Sequence, residues 1–145
     1  MDRILVPVDF SEPAKKALDY AITLAKTFGA KIDLLHVYHV PVTVAGPYAE
    51  PLPVAYMDGI RKSAEAQLDS WLGRVRDAGV SGESHLTEGA AAHEIVECAR
   101  QLQVDQIVIG TRGLTGLKHL MLGSVADRTV RLAHCPVTTV PADEE

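Results

Sequence analysis

The sequence predicts an α/β domain built on one doubly wound, mostly parallel five-stranded sheet with helices on both faces. Strand-like and helix-like segments alternate along the chain. Each helix must then return the chain to the same end of the sheet, which requires parallel strands joined by right-handed crossovers. The first strand-like segment is also nearly all apolar, as expected of a central strand that helices cover on both faces.

Five segments are predicted to be strands from their length and apolar content. They cover residues 3–8, 31–38, 82–87, 106–109 and 137–140. The third is polar, which favours a position at an edge of the sheet. A strand order of 3-2-1-4-5 brings the loops after strands two and four to the crevice between strands one and four, where a Rossmann-like sheet binds its ligand.

Four helices are predicted between these strands from apolar residues at helical spacing. They cover residues 12–28, a long segment from Met57 to a stop at Ala78-Gly79, residues 91–102 and residues 124–133. Ser11 can cap the start of the first helix, and Gly29 suits its left-handed stop. The Pro-rich stretch before the second helix is predicted to be a loop.

Composition indicates one compact domain that spans residues 1–145. Hydrophobic residues make up 47% of the 145 residues, and the formal net charge is −5 without a basic cluster for nucleic acid. No stretch approaches the ~18 apolar residues of a membrane span, and the apolar run at the N-terminus is too short for a signal peptide. Cys98 and Cys135 have no metal-site spacing and fit a reducing compartment. We therefore expect a cytoplasmic protein that binds neither nucleic acid nor membrane.

A glycine pattern, G-x2-G-x9-G-S at residues 110–124, marks the candidate site. Its first glycine ends a strand and its last pair opens a helix. The amides near Ser124, Val125 and Ala126 can bind the oxygens of a phosphate, and glycine lets the backbone approach a ligand without a Cβ in the way. The alternative interpretation is turn geometry together with helix capping by Ser124.

Three charged positions have both a ligand-binding and a structural interpretation. Asp9 follows the first strand at its carboxyl end, where open α/β sheets bind ligands, or it caps the first helix alongside Ser11. Arg112 lies inside the glycine pattern, and its side chain either contacts a phosphate or is simply solvated. Lys118 has the same two interpretations.

Other reactive residue types have structural interpretations. His93 and Glu97 lack the second histidine of a zinc helix. Cys98 and Cys135 are expected to be free thiols with no base to activate them. His36 is expected to be a hydrogen-bonded residue of the core.

Four sequence segments resemble the universal stress protein family, and the resemblance covers essentially the whole chain. They are VPVD at residues 6–9, LLHV at 34–37, the glycine pattern at 110–124 and HCPV at 134–137. In that family the glycine pattern distinguishes members that bind ATP. The resemblance therefore implies ATP, with Mg²⁺ or Mn²⁺, as the cofactor.

Matching positions carry the family's binding roles onto this chain. The resemblance places Asp9 near the ribose or a phosphate-bound metal, and the Val37 backbone near adenine. The residues that would surround the ribose and phosphates are Gly110, Gly113, Gly123, Ser124 and Val125. The candidate site is completed by their neighbours Pro7, Val8, Ile109, Arg112 and Ala126. The resemblance also implies a homodimer through the final strand.

Three functions remain open from the sequence. The first is a regulatory stress-response module that holds ATP, hydrolyses it slowly or not at all, and acts on an unknown protein partner. The second is a Mg²⁺-dependent ATP hydrolase or nucleotidyl enzyme in which Asp9 holds the metal. The third is a structural dimer module without nucleotide. The chain lacks the G-x4-G-K-[ST] loop of P-loop ATPases, which disfavours efficient turnover.

Overall fold

The computed structural model of the chain describes residues 1–39, 52–111 and 122–142. Strands and helices alternate throughout these ranges. The elements are β1 Arg3–Pro7, α1 Glu12–Phe28, β2 Lys31–Tyr38, α2 Val54–Asp77, β3 Gly82–Glu88, α3 Ala91–Leu102, β4 Gln106–Gly110, α4 Ser124–Leu132 and β5 Val137–Val140. Most predicted boundaries agree to within one residue.

The sheet contains the five strands in the order β3-β2-β1-β4-β5, and all its pairs are parallel. The predicted order is confirmed, as is the edge position of the polar third strand. β1 pairs with β2 as far as Pro7↔Leu35, but its pairing with β4 ends at Leu5↔Ile107. The carboxyl ends of β1 and β4 therefore leave a crevice between them.

Helices cover the sheet on both faces. One core cluster joins α1 and α2 to one face through residues such as Ile4, Leu18 and Leu68. The other joins α3 and α4 to the opposite face through Leu5, Ile95 and other residues. Because successive strand residues point to opposite faces, Ile4 and Leu5 enter different cores.

The ends of α1 follow the sequence prediction. Ser11 is the N-cap, and its hydroxyl accepts a hydrogen bond from the Ala14 amide at 3.3 Å. Gly29 is the C-cap with a φ of 69°. Both residues perform the roles that their types favour.

The start of α2 differs from the prediction, because the helix begins at Val54 and not at Met57. Val54 and Tyr56 are more than half exposed. The first turn thus adds no residue to the buried face, and apolar periodicity could not detect it. Among the described residues, no helix is long and apolar enough to cross a membrane.

Candidate functional site

A cleft of about 250 Å³ lies at the carboxyl ends of β1, β2 and β4. It is close to the lower end of the size range of small-molecule sites, about 300 Å³. Every predicted site residue that the structure describes lines it. They are Pro7, Val8, Asp9, Val37, Ile109, Gly110, Gly123, Ser124, Val125 and Ala126. Arg112, Gly113 and Lys118 lie outside the described residues.

Further lining residues were not predicted from the sequence. They are Ser11, Pro13, Ala14, Leu35, Ala91 and Ile95. The first three belong to the start of α1, which directly follows Asp9. Leu35 lies two residues before Val37 on the same face of β2, so strand alternation could have identified it. Ala91 and Ile95 of α3 carry no comparable signal.

The Asp9 carboxylate is exposed at the end of β1 and is oriented by the next turn. Its Oδ1 accepts a hydrogen bond from the Ser11 amide at 3.1 Å and a second from the Ser11 hydroxyl. The same hydroxyl oxygen caps α1. Both sequence interpretations are thus compatible, since Asp9 orders the helix start and also lines the cleft. A carboxylate in this position can accept hydrogen bonds from hydroxyl groups or bind a divalent cation.

The N-terminus of α4 forms another wall of the cleft. Gly123 is the N-cap and has extended backbone angles, with φ −61° and ψ 158°. The first helical bond runs from the Asp127 amide to the Gly123 carbonyl at 2.9 Å. The amides of Ser124, Val125 and Ala126 therefore have no partner within the helix, and they carry its positive dipole end. Capping by Ser124 was a wrong alternative, because this residue is already the first of the helix.

Gly110 has a packing role besides the one expected. A Cβ at this position would lie 2.4 Å from the carbonyl oxygen of Pro13 and 3.0 Å from the Ala14 nitrogen. The missing side chain therefore lets the start of α1 pack against β4. Gly110 also lines the cleft, and its expected role in ligand approach stays a prediction.

The walls of the cleft between these polar ends are apolar. Leu35 and Ile109 are buried, and they reach the cleft from two different strands. Ile95 adds the surface of α3. Among the described residues that line the cleft, Asp9 has the only ionisable side chain. The arrangement suits a ligand with a flat apolar part and an anionic end, and its described residues offer no base beyond Asp9.

A buried ionic network links β1, β2 and β3 and was missed from the sequence. Asp33 of β2 is fully buried. It accepts bonds of 3.0 Å from Nε and from Nη2 of Arg3, and one of 2.9 Å from Nε2 of His85. Burial raises the pKa of the Asp33 carboxyl, but the bonds from His85 and Arg3 outweigh it and hold that pKa below its ordinary value.

Asp33, His85 and Glu83 also bring three potential metal-ligating atoms within 4.8 Å of one another. Both carboxylates already have cationic partners, since Lys31 Nζ lies 2.7 Å from Glu83 Oε1. The cluster joins three strands by charge pairing. Asp33 lies two residues before Leu35, and His85 pairs with Leu35 in the strand register, but neither Asp33 nor His85 lines the cleft.

The cysteines and His36 have structural surroundings. Cys98 and Cys135 are unpaired and partly buried. Burial raises the pKa of the Cys98 thiol to about 11, and it also raises the pKa of Cys135. Both thiols are therefore protonated near neutral pH, and neither lines the cleft. His36 donates a hydrogen bond through Nδ1 to the Val8 carbonyl at 2.7 Å, as expected of a hydrogen-bonded residue.

Known proteins are similar to this chain in sequence. The family model described as the universal stress protein family matches residues 1–141. Universal stress protein MJ0531 of Methanocaldococcus jannaschii is 36% identical over 138 residues, which is 95% of this chain and 81% of the relative. Universal stress protein YxiE of Bacillus subtilis is 34% identical, with 96% and 98% of the two chains covered.

A solved structure shares the fold as well. The universal stress protein from Archaeoglobus fulgidus in complex with dAMP has a TM-score of 0.70 and 26% identity, and the match covers 96% of this chain and 97% of that one. The family match over residues 1–141, the two relatives above 30% identity and the shared fold agree. The chain belongs to the universal stress protein family.

Proposed function

We propose that the cleft binds an adenine nucleotide, ATP with Mg²⁺, and that the protein is a nucleotide-dependent regulatory module. The observation that carries the proposal is the convergence of a helix N-terminus, an exposed carboxylate and apolar walls on one cleft. Each of these three features matches one part of a nucleotide.

The α4 end of the cleft is suited to phosphate. Three backbone amides without helical partners, together with the dipole of the helix, favour an anion there. The Ser124 hydroxyl adds a donor beside them. We assign the phosphates to this end.

The β2 end is suited to the base and the ribose. Leu35 and Ile95 offer apolar surface for a flat ring. Val37, the residue before the last of β2, presents its backbone at the same end. Asp9 can accept hydrogen bonds from ribose hydroxyls or bind Mg²⁺ with the phosphates. The dAMP bound by the Archaeoglobus fulgidus relative supports an adenine nucleotide as the ligand class.

Nucleotide retention is favoured over rapid turnover. Activation of an attacking water by a general base requires an ionisable side chain placed beside the phosphates. Asp9 is the one ionisable side chain among the described cleft residues. We therefore expect slow hydrolysis or none, and a nucleotide-dependent surface that a protein partner reads.

A block at the phosphate end tests the binding proposal. Gly123→Val is compatible with the extended backbone there, and it places a branched side chain at the N-cap, directly before the α4 amides. Calorimetric titration with Mg²⁺·ATP should show at least a ~10-fold loss of affinity, which corresponds to about 1.4 kcal/mol. The matched control is Gly73→Val, since a Cβ at Gly73 of α2 meets nothing within 4 Å. Equal ATP affinity in the two variants would exclude this site.

Steady-state phosphate release separates the module from an enzyme. A module that retains ATP releases phosphate slowly. Asp9→Ala then changes its ATP affinity, and the rate of phosphate release stays low. Multiple turnovers per minute that vanish in Asp9→Ala favour the hydrolase instead. Protein without nucleotide, whose melting temperature does not respond to ATP, favours the structural dimer module.

We also propose that residues 1–145 form one domain that dimerises through β5. The family match over residues 1–141 supports the single domain. The dimer is supported by the position of β5 at an edge of the sheet, where its outer backbone groups have no partner strand among the described residues. The unpaired state of the two cysteines supports a reducing compartment, for which we propose the cytoplasm.

A further inference from the structure

The turn between β1 and α1 contains a backbone conformation that its side chain disfavours. Phe10 has a φ of 65°, in the left-handed region that bulky residues rarely occupy. Gln103 is the other described residue besides glycine with a positive φ, and it forms the left-handed stop of α3. Phe10 ends no helix, so its conformation needs a different cause.

The Phe10 ring is held by two aromatic side chains. Its centroid lies 4.5 Å from that of His36 at an interplanar angle of 37°, and 5.5 Å from that of Trp71 in an edge-to-face arrangement. It also packs against the core between the sheet and α1 and α2. These contacts favour the observed position of the ring and offset the backbone strain.

The residues on either side of Phe10 are fixed as well. The Val8 amide donates to the Leu35 carbonyl at 2.8 Å, and the Val8 carbonyl accepts from His36. Beyond Phe10, the Ser11 amide and hydroxyl donate to Asp9. The position of the Asp9 carboxylate is therefore set by a turn whose residues are held by hydrogen bonds and ring contacts.

We propose that Phe10 is a positioning residue of the nucleotide site. Its ring, held between His36 and Trp71, fixes the left-handed turn that directs the Asp9 carboxylate into the cleft. Phe10 is not among the residues that line the cleft, so it acts through Asp9 and not by touching the ligand. This inference rests on the proposed function, because it assigns a cause to the orientation of one binding group.

A double-mutant cycle with Mg²⁺·ATP tests the inference. Phe10→Gly removes the ring but tolerates a φ of 65°, so the chain keeps its fold while the turn gains freedom. Asp9→Ala should weaken ATP binding on the order of 10-fold, as expected for a charge-assisted hydrogen bond. Phe10→Gly should weaken ATP binding by most of the same factor. Combining the two should lose no more than Asp9→Ala alone.

Leu24→Ala is the matched control. Leu24 packs against the same core but does not line the cleft. This variant should lose stability and keep its ATP affinity. Two results would overturn the inference and leave the proposed function intact. One is a double variant whose loss of ATP affinity is the product of the two single losses. The other is an unchanged ATP affinity in Phe10→Gly.

A measurement without ligand separates the inference from the proposed function. Hydrogen exchange of the Ser11 amide reports its bond to Asp9. Exchange should accelerate in Phe10→Gly and Phe10→Ala, and stay unchanged in Leu24→Ala. If wild-type protein binds no ATP but Ser11 responds in this way, the function is wrong and the positioning of Asp9 by Phe10 stands. If Ser11 does not respond, the positioning is wrong.

Discussion

Gly110 connects the packing of α1 to the shape of the cleft. An added Cβ would meet backbone atoms of Pro13 at 2.4 and 2.6 Å, and backbone cannot rotate away as a side chain can. The start of α1, which carries Ser11 and lines the cleft, would have to move. One missing Cβ thus serves stability and the site together.

We expect Gly110→Ala to destabilise the protein by about 1–3 kcal/mol, the usual cost of overpacking. Gly73→Ala is its control. This glycine lies within α2 with open space around its Cα, so alanine there should stabilise the protein by up to about 1 kcal/mol. Urea unfolding measures both changes. Equal stability of Gly110→Ala and wild type would show that α1 moves away at no cost.

Ser11 combines two roles in one hydroxyl, which caps α1 and donates to Asp9. Replacing it with alanine should cost about 1 kcal/mol of stability from the cap and should also release Asp9. Thermal unfolding should show the lower stability, and ATP titration should show weaker binding. Ser70→Ala, on an exposed position of α2, should change neither. A stable Ser11→Ala variant with full ATP affinity would contradict both roles.

At the scale of elements, the Arg3–Asp33–His85 network joins the first three strands of the sheet. The pKa of Asp33 is lowered in the folded protein, so the folded state binds its proton less readily than the unfolded chain. The resulting stability is present above the unfolded pKa, about 3.9, and is lost as the pH falls through the lower folded pKa. The network therefore stabilises the sheet at neutral pH and not in strong acid.

Asp33→Asn isolates this contribution. At pH 7 the variant should be less stable by about 1–3 kcal/mol, since a charge-assisted hydrogen-bond acceptor is lost. The difference from wild type should shrink as the pH falls below about 4. Urea unfolding between pH 7 and pH 3 measures it. A difference that stays constant over this range would contradict the assigned direction of the pKa shift.

The edge strand β5 has one side available for another chain. The carbonyls of Pro136 and Val140 accept hydrogen bonds from the amides of Ile107, within β4, and Thr111, directly after it. Backbone groups alternate in direction along a strand, so those of Val137 and Thr139 point to the outer edge. This is the side through which we propose dimerisation.

Thr139→Pro removes an outward amide without removing a bond to β4. Size-exclusion chromatography with light scattering should show a dimer for wild type and a folded monomer for the variant. Thr139→Ala keeps the amide and should remain dimeric. A dimer that survives Thr139→Pro would place the interface elsewhere.

At the scale of the whole molecule, the sequence predicted the helices and strands because apolar spacing and turn residues act locally. It predicted the strand order because a Rossmann-like sheet brings the loops after strands two and four to one crevice. It could not predict the start of α2, because Val54 and Tyr56 are exposed. It could not predict that His85 is a partner of Asp33, because the two residues lie on different strands and no sequence motif relates them. For the site, it identified residues at strand ends and at the start of α4. It missed Ala91 and Ile95, which reach the cleft only through the packing of α3.

The central claim is that this cleft binds the nucleotide, and a titration of ¹⁵N-labelled protein with Mg²⁺·ATP, followed by NMR, tests it most directly. We predict saturable shifts of the amides of Asp9, Val37, Gly110 and residues 123–126, with no change at Gly29, Gly79 and Gln103, which precede the amino ends of the strands at the other end of the sheet. Shifts confined to that other end, or none at millimolar ATP, would contradict the account.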